Sequence, residues 1–290
     1  MFVSDKVVFI ELHKTGCTHI RNLLAELLGG EFVGKHNQVD ASLLAQGKVV
    51  LGSVRDPWDW YVSLWAYGCD RKGLIFGNVT RGGMKFRGHG WRADPYSALR
   101  ELLASRPNRN AGKWSRTYRD VNDAGAFREW LHMMHDETYR SDFGEGYGRS
   151  RASRVAGLYT YRYAKLFSCL KDQSAKLDAV STFDELAAHD REHCFVDHFI
   201  RNENLESDLF HALVVSGFDI SNDHKARILG RARTNTSSRR TGAEYYYDHA
   251  TQRLVAERDR LVTEKFGYLP PLDIASGRNS ATLHVAATAG

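Results

Sequence analysis

Two short segments carry residues whose types and spacing suit phosphate chemistry. The first, His13-Lys-Thr-Gly-Cys-Thr-His19, offers a lysine, hydroxyls from Thr15 and Thr18, and backbone N–H groups made approachable by Gly16. Ahead of a helix these groups form an anion cradle, because unpaired N–H groups and the helix dipole both favour negative charge there. The residue order departs from a Walker A loop: Lys14 precedes Gly16, and no Ser or Thr follows a Gly-Lys pair to hold magnesium. An ATPase is therefore disfavoured. The second segment begins at Arg55-Asp-Pro57 and reaches Ser63, eight residues after Arg55. An arginine fork and a hydroxyl on one side of a helix suit a second phosphate. The plainer alternative is an Arg55–Asp56 salt bridge with a helix-surface Ser63.

The flanking sequence supplies elements to position these segments. Val7 to Leu12 is a β-rich apolar run, too short for a helix, and reads as a buried strand. Beyond the first loop, Ile20, Leu23, Leu24, Leu27 and Leu28 recur at helical spacing until Gly29-Gly30 stops them. Lys48 to Val54 reads as a second strand. After Pro57, at a helix's first turn, Trp58, Tyr61, Val62 and Trp65 mark the apolar stripe of a helix. Phe195 to Ile200 is a third strand candidate, followed by a helix from Leu205 to about Val215, and a last helix runs from about His249 to Phe266. Strand, glycine-containing loop and helix in succession predict an α/β protein whose loops sit at the carboxyl ends of parallel strands. A long insertion, about 73–157, is expected on this frame, with helices near Pro95–Ala104 and Ala124–His135 and Gly-rich basic stretches between them. The boundaries predict one domain over 1–275 and a flexible tail over 276–290.

The ordered pair of loops carries a resemblance. Phe9-Ile-Glu-Leu-His-Lys-Thr-Gly-Cys-Thr-His-Ile-Arg-Asn-Leu-Leu24, followed by Val54-Arg-Asp-Pro-Trp-Asp-Trp-Tyr-Val-Ser-Leu-Trp65, resembles the paired loops of sulfotransferases that use 3′-phosphoadenosine 5′-phosphosulfate (PAPS). The resemblance extends to Val196–Leu209, similar to a strand-then-helix segment of carbohydrate-type and bacterial members. It also extends to Asn235–Arg240 with Tyr245–Tyr247 and Phe266-Gly-Tyr268, similar to the C-terminal segment that closes over the nucleotide. It covers 7–70 and 195–268, and the insertion between them has no assignable motif. His13 stands where many cytosolic members have proline and Cys17 where they have Gly or Thr; histidine at the first position occurs in the carbohydrate-type branch.

The resemblance implies a P-loop-like three-layer α/β fold with a central parallel sheet, plus a largely helical insertion on the acceptor side. It implies that Lys14 stabilises charge growing on the bridging oxygen during sulfuryl transfer, and that Lys14, Thr15, Gly16, Cys17, Thr18 and His19 surround the 5′-phosphosulfate. Cys17 serves as a small residue there, with no base paired to it. Arg55 and Ser63 would hold the 3′-phosphate, with at least one of Ser237, Arg239 and Arg240 as a further contact. An acceptor hydroxyl needs a base, and His36, between the two loops in Gly34-Lys-His-Asn37, is the candidate, with His89 and Glu11 in reserve. Arg201 and Glu203 read as an ion pair fixing the crevice wall. His132 and His135 lie three apart on a helix without a carboxylate companion at ligand spacing, so no metal is expected.

Length and composition bound the rest. The 290 residues, 42% apolar and 26% charged, exclude disorder, collagen and coiled coil as the main description. The four cysteines form no C-x-x-C pair, and no apolar run approaches the roughly 18 residues of a membrane span. A soluble, reduced, cytoplasmic chain is expected, and the N-terminus lacks the regions of a signal peptide. The net charge is +5, but Arg71 to Arg119 holds twelve Lys/Arg against Asp94 and Glu101, leaving the remainder at −5. The donor-binding residues lie outside that stretch, so its +10 points to an anionic acceptor, such as an acidic glycan or small metabolite. The predicted reaction is transfer from PAPS to a hydroxyl, less favourably an amine, with adenosine 3′,5′-bisphosphate (PAP) as product, no metal and no nucleic-acid partner. Two alternatives remain open: a P-loop-like kinase of a nucleotide or small molecule, and a nucleic-acid binder using the basic stretch with Trp91, Trp114 and Tyr118 as stacking surfaces. The oligomeric state stays open.

Overall fold

The computed structural model describes residues 1–82, 108–143, 146–230, 239 and 241–272. Five strands, Phe2–Val3 (β1), Val7–Ile10 (β2), Glu31–Phe32 (β3), Val49–Val54 (β4) and His198–Arg201 (β5), form one sheet in the order β3-β1-β2-β4-β5. The core of the sheet is parallel, as expected, but an antiparallel edge makes the whole sheet mixed. β2, β4 and β5 run parallel, with Ile10 opposite Gly52 and Val54 opposite Arg201, whereas β1 is antiparallel to both β2 and β3. The reason is local: Ser4 turns the chain back at once, its Oγ accepting the Val7 N–H at 3.0 Å, and so short a connection can only join antiparallel strands. β5 also begins later than expected from Phe195–Ile200. The Asp197 N–H still donates to the Val50 carbonyl at 2.9 Å, but the Val50 N–H turns to the Asp197 carboxylate at 2.8 Å, so a side chain takes one of the two ladder bonds at that point.

Alternation along the strands sends side chains to two separate cores. Val7, Phe9 and Leu51 pack with Ile20, Leu23 and Leu24 of the helix Cys17–Leu28 (α1) and with Leu205 and Leu209 of the helix Leu205–Val215. Val8, Ile10, Val50 and Val54 face the larger core, which holds the helix Pro57–Cys69 (α3, following the single-turn helix α2 at Ala41–Leu44), the helix Leu158–Phe167 and the helical region between them. A single apolar stripe was expected on α3, but ten of its 13 residues are buried. It runs between sheet and helical region, and its three indoles each find a carbonyl: Trp58 on Gln252, Trp60 on His13 and Trp65 on Thr117, at 3.1, 2.6 and 2.8 Å.

Leu74–Val79 (α4), Ala111–Thr117 and Ala124–His135 are helices of the insertion, and Trp114, Phe127 and Trp130 bury their rings in the larger core. The expected helix at 95–104 and the tail 276–290 lie outside the described residues. The expected helix from His249 to Phe266 is broken into His249–Arg258 and Arg260–Phe266. The residue at the break, Asp259, is fully buried and accepts the Thr160 N–H at 2.9 Å, so a tertiary contact interrupts a continuous helical pattern. Among the described residues, no helix is long and apolar enough to cross a membrane.

Candidate active site

The carboxyl ends of β2, β4 and β5 meet at one cleft of about 640 Å³, within the range of small-molecule sites. The loop after β2 is shaped by its backbone. Lys14 and Gly16 both have positive φ, 64° and 76°, and Gly16 precedes α1 without a side-chain cap. A methyl on Gly16 would come within 2.6 Å of Leu205 Cδ1 and 2.8 Å of Asn202 Nδ2, and the positive φ strains any side chain, so glycine suits the place where this loop closes against the segment after β5. Lys14, Gly16, Cys17, Thr18 and His19 all line the cleft. Thr15 does not. Its hydroxyl donates to the Leu12 carbonyl at 2.8 Å and lies 2.6 Å from Ser53 Oγ, so it is engaged with protein and points away from the cleft.

The turn after β4 is held by charge. Arg55 Nε donates to Asp59 Oδ2 at 2.7 Å, its Nη2 reaches the same oxygen, and its Nη1 donates to the Lys14 carbonyl at 2.9 Å. Arg239 Nη2 reaches the other oxygen of Asp59, so one carboxylate joins two arginines 184 positions apart in sequence. Burial by itself would raise the Asp59 pKa, but Arg55 and Arg239 outweigh it and hold it below the usual carboxylate value. The alternative Arg55–Asp56 pairing does not form: Asp56 caps α3 through the Asp59 N–H at 3.0 Å, and burial pushes its carboxyl up to about 7. The Tyr159 hydroxyl accepts the Arg55 N–H and donates to the Arg55 carbonyl, at 2.9 and 2.8 Å. Ser63 is buried on α3 and lines the cleft with Arg55 and Arg239. Arg239 Nη1 is buried with no hydrogen-bond partner among the described residues, an arrangement suited to an added anion. Ser237 and Arg240 lie outside the described residues.

Lys14 Nζ sits 4.1 Å from the centre of the Tyr67 ring. Burial, helped by the neighbouring Arg55 guanidinium, lowers its pKa to about 8. Burial has the opposite effect on the Cys17 thiol, which is pushed up to about 11 and stays protonated at neutral pH. His36 lines the cleft with its Nδ1 2.8 Å from the Glu11 carbonyl. A carbonyl only accepts, so Nδ1 carries the proton and the lone pair of the neutral ring is on Nε2. Its ring stacks on His13 with centroids 3.5 Å apart. Burial lowers the pKa of both, and Arg162 lowers it further in each. Glu11, a reserve base, is fully buried and bound to the Met1 amino group at 2.9 Å and Arg21 at 3.5 Å. His89, the other reserve, lies outside the described residues.

Sequence reasoning missed several residues of the cleft. Arg162 lies hidden in the Tyr-rich run Tyr159-Thr-Tyr-Arg-Tyr163, where a lone arginine among buried aromatics is itself a signal. Asp59 is four residues after Arg55 on a helix, the spacing of an ion pair. Tyr67, Lys72 and Leu74–Phe76 carried no motif. Elsewhere, Glu203 accepts from the Asp56 N–H at 2.8 Å and the Tyr268 hydroxyl at 3.3 Å, tying the turn after β4 to the C-terminal segment. His135 donates Nδ1–H to the Leu131 carbonyl at 2.8 Å. It borders a second, 480 Å³ cleft with His132, Glu129 and Asp136, yet no group of three metal-ligating side chains occurs among the described residues. Trp114 and Tyr118 are buried and Trp91 lies outside the described residues, so two of the three rings expected as nucleic-acid stacking surfaces are turned inward. Comparison of the chain with protein-family models, with curated proteins and with solved structures found no match.

Proposed function

We propose that this protein is a sulfotransferase that moves the sulfuryl group of PAPS to an acceptor hydroxyl, on a P-loop-like α/β frame. The observation that carries the reading is the convergence of the two loops: Arg55 Nη1 donates to the Lys14 carbonyl at 2.9 Å, so the lysine and the arginine fork belong to one site. The residues suit a ligand with two separated anionic groups. Lys14 and the first-turn N–H groups of α1 serve one; Arg55, Ser63 and Arg239, whose Nη1 has no hydrogen-bond partner among the described residues, serve the other, with Ser237 and Arg240 as further candidates.

In the reaction, the bond between sulfur and the bridging oxygen of the phosphosulfate breaks, and its electron pair stays on that oxygen as PAP departs. The acceptor oxygen forms the new bond to sulfur. Its proton passes to His36 Nε2, the lone-pair nitrogen left by the bond to Glu11. Lys14, as ammonium, stabilises the charge that grows on the bridging oxygen, an interaction stronger in the transition state than in the ground state. Lys14 lies ahead of Gly16 rather than behind a glycine run, which favours this reading over an ATP–magnesium kinase.

The test is calorimetry with PAP against ATP–Mg, followed by incubation with labelled PAPS and fractionated extracts. Binding of PAP at least about tenfold tighter than ATP–Mg, and a product heavier by one sulfuryl group, are expected. Tighter binding of ATP–Mg would overturn the reading.

A further inference from the structure

One wall of the cleft has little for a phosphate to bind. It is built from Leu74, Ile75 and Phe76 of α4, with Tyr67 of α3 and Tyr118. Leu74 is 62% exposed and Tyr67 37%, although both border a concavity. Exposed apolar side chains that line a cleft are surface for apolar matter, whereas scattered ones on a convex surface are unremarkable. The wall is preformed. Phe76 meets Tyr118 edge to face at 5.3 Å, and a methyl on Gly73 would lie 3.0 Å from Tyr67 Cδ1, so the backbone at 73 lies close against that ring. The Tyr118 hydroxyl already takes the Trp130 indole N–H at 2.5 Å. Apart from the Tyr67 and Tyr118 hydroxyls, a sugar, which presents hydroxyls on every side, would meet only apolar side chains on this wall.

The cleft is also lined by two exposed ammonium groups, Lys35 and Lys72, the latter following α3 and only loosely paired with Asp70 at 3.8 Å. The basic stretch Arg71–Arg119 pointed to an anionic acceptor. What it brings to the cleft among the described residues is one lysine beside four apolar or aromatic side chains. We infer that the acceptor is an amphiphilic alcohol, with an alkyl or aryl body for the Tyr67–Phe76 wall and a carboxylate for Lys72. The chemistry on its hydroxyl rests on the sulfotransferase reading, but its binding does not.

The experiment is titration of the full chain, saturated with PAP, with three probes: ω-hydroxydecanoate, decanol and glucuronate. Binding of ω-hydroxydecanoate about tenfold or more tighter than either is expected, since decanol lacks the charge and glucuronate the apolar body. Lys72→Gln should bring its affinity down to that of decanol. Leu74→Asp, at an exposed position that does not threaten the fold, should weaken it at least about tenfold with thermal stability and PAP affinity unchanged. Glucuronate binding tightest, no binding of ω-hydroxydecanoate to the PAP complex, or indifference to both substitutions would overturn the inference. Absence of PAP binding together with retained ω-hydroxydecanoate binding would instead overturn the donor reading and leave this one standing.

Discussion

The two loops sit at the ends of neighbouring parallel strands, yet they are built on different principles. The loop after β2 is fixed by conformation: two residues with positive φ, a glycine with no room for a methyl, and a threonine whose hydroxyl bonds inward. The turn after β4 is fixed by countercharge, with Asp59 between Arg55 and Arg239 and Tyr159 bonded to both backbone groups of Arg55. The difference follows from the tasks proposed for them. A lysine acting at a single bridging oxygen must be aimed, and backbone shape aims it. Arginines that grip a phosphate must be kept together without collapsing onto other acceptors, and a carboxylate does that. The first loop should therefore break when atoms are added or its one charge is removed, the second when its countercharge is removed.

The largest effect is expected at the aimed group. Lys14→Ala should lower kcat about 10²–10³-fold while PAP affinity, measured by calorimetry, changes less than about tenfold. Equal losses in kcat and in PAP binding would mean that Lys14 is merely one more anion contact, and the contrast between the loops would fail. Next comes Gly16→Ala, which meets both the positive φ and the approach to Leu205 and Asn202. It should cost about 1–3 kcal/mol of stability in denaturant titration and weaken PAP binding. Asp59→Asn should cost less, about 1–2 kcal/mol, because the carboxylate is partly exposed rather than fully desolvated. Its signature is different: PAP should raise the Tm of this variant more than that of the wild type, as the phosphate replaces the lost countercharge. For Gly16→Ala the PAP-induced rise should be smaller than in the wild type. The same direction of change in both variants would erase the distinction.

The legible parts of this molecule were those written locally. The β2–α1 unit followed from an apolar run and a helical period that stops at Gly29, and Lys14 and Arg55 were readable because each follows a strand. The two-residue strands β1 and β3 were not, since two residues show no alternation and only the turn at Ser4 orders them. The stripe read on α3 was incomplete because Trp60 and Leu64 also face protein, which depends on the helical region packed against it. Arg162 and Asp59 reach the site through tertiary approach, from a helix more than a hundred residues after the first loop and from the partner choice of Arg55. Trp114 and Tyr118 looked like a surface beside basic residues, but Trp114 fills the core and Tyr118, largely buried, shows only an edge to the cleft. A charge pattern does not say which way the neighbouring aromatics point.

The smallest effect expected is a shift in pH dependence, and it tests whether the loops act as one site. Lys14 must be charged to act, and with its pKa lowered to about 8 its activity should fall as pH rises through that value. His36 must be neutral to accept a proton, and burial lowers its pKa, so the acid limb should lie below the ordinary histidine value of 6.5. A plot of kcat/KM against pH, which reports groups of the free enzyme, should therefore be bell-shaped with its alkaline limb near 8. Burial is the first cause of the lysine's shift and Arg55 the second. Arg55→Gln removes only the second, so the alkaline limb should move to higher pH while the acid limb stays in place, even though kcat/KM falls throughout. An alkaline limb that does not move would mean that the arginine of the charge-held turn exerts no field on the lysine of the backbone-shaped loop, and the two would then be neighbours rather than one site.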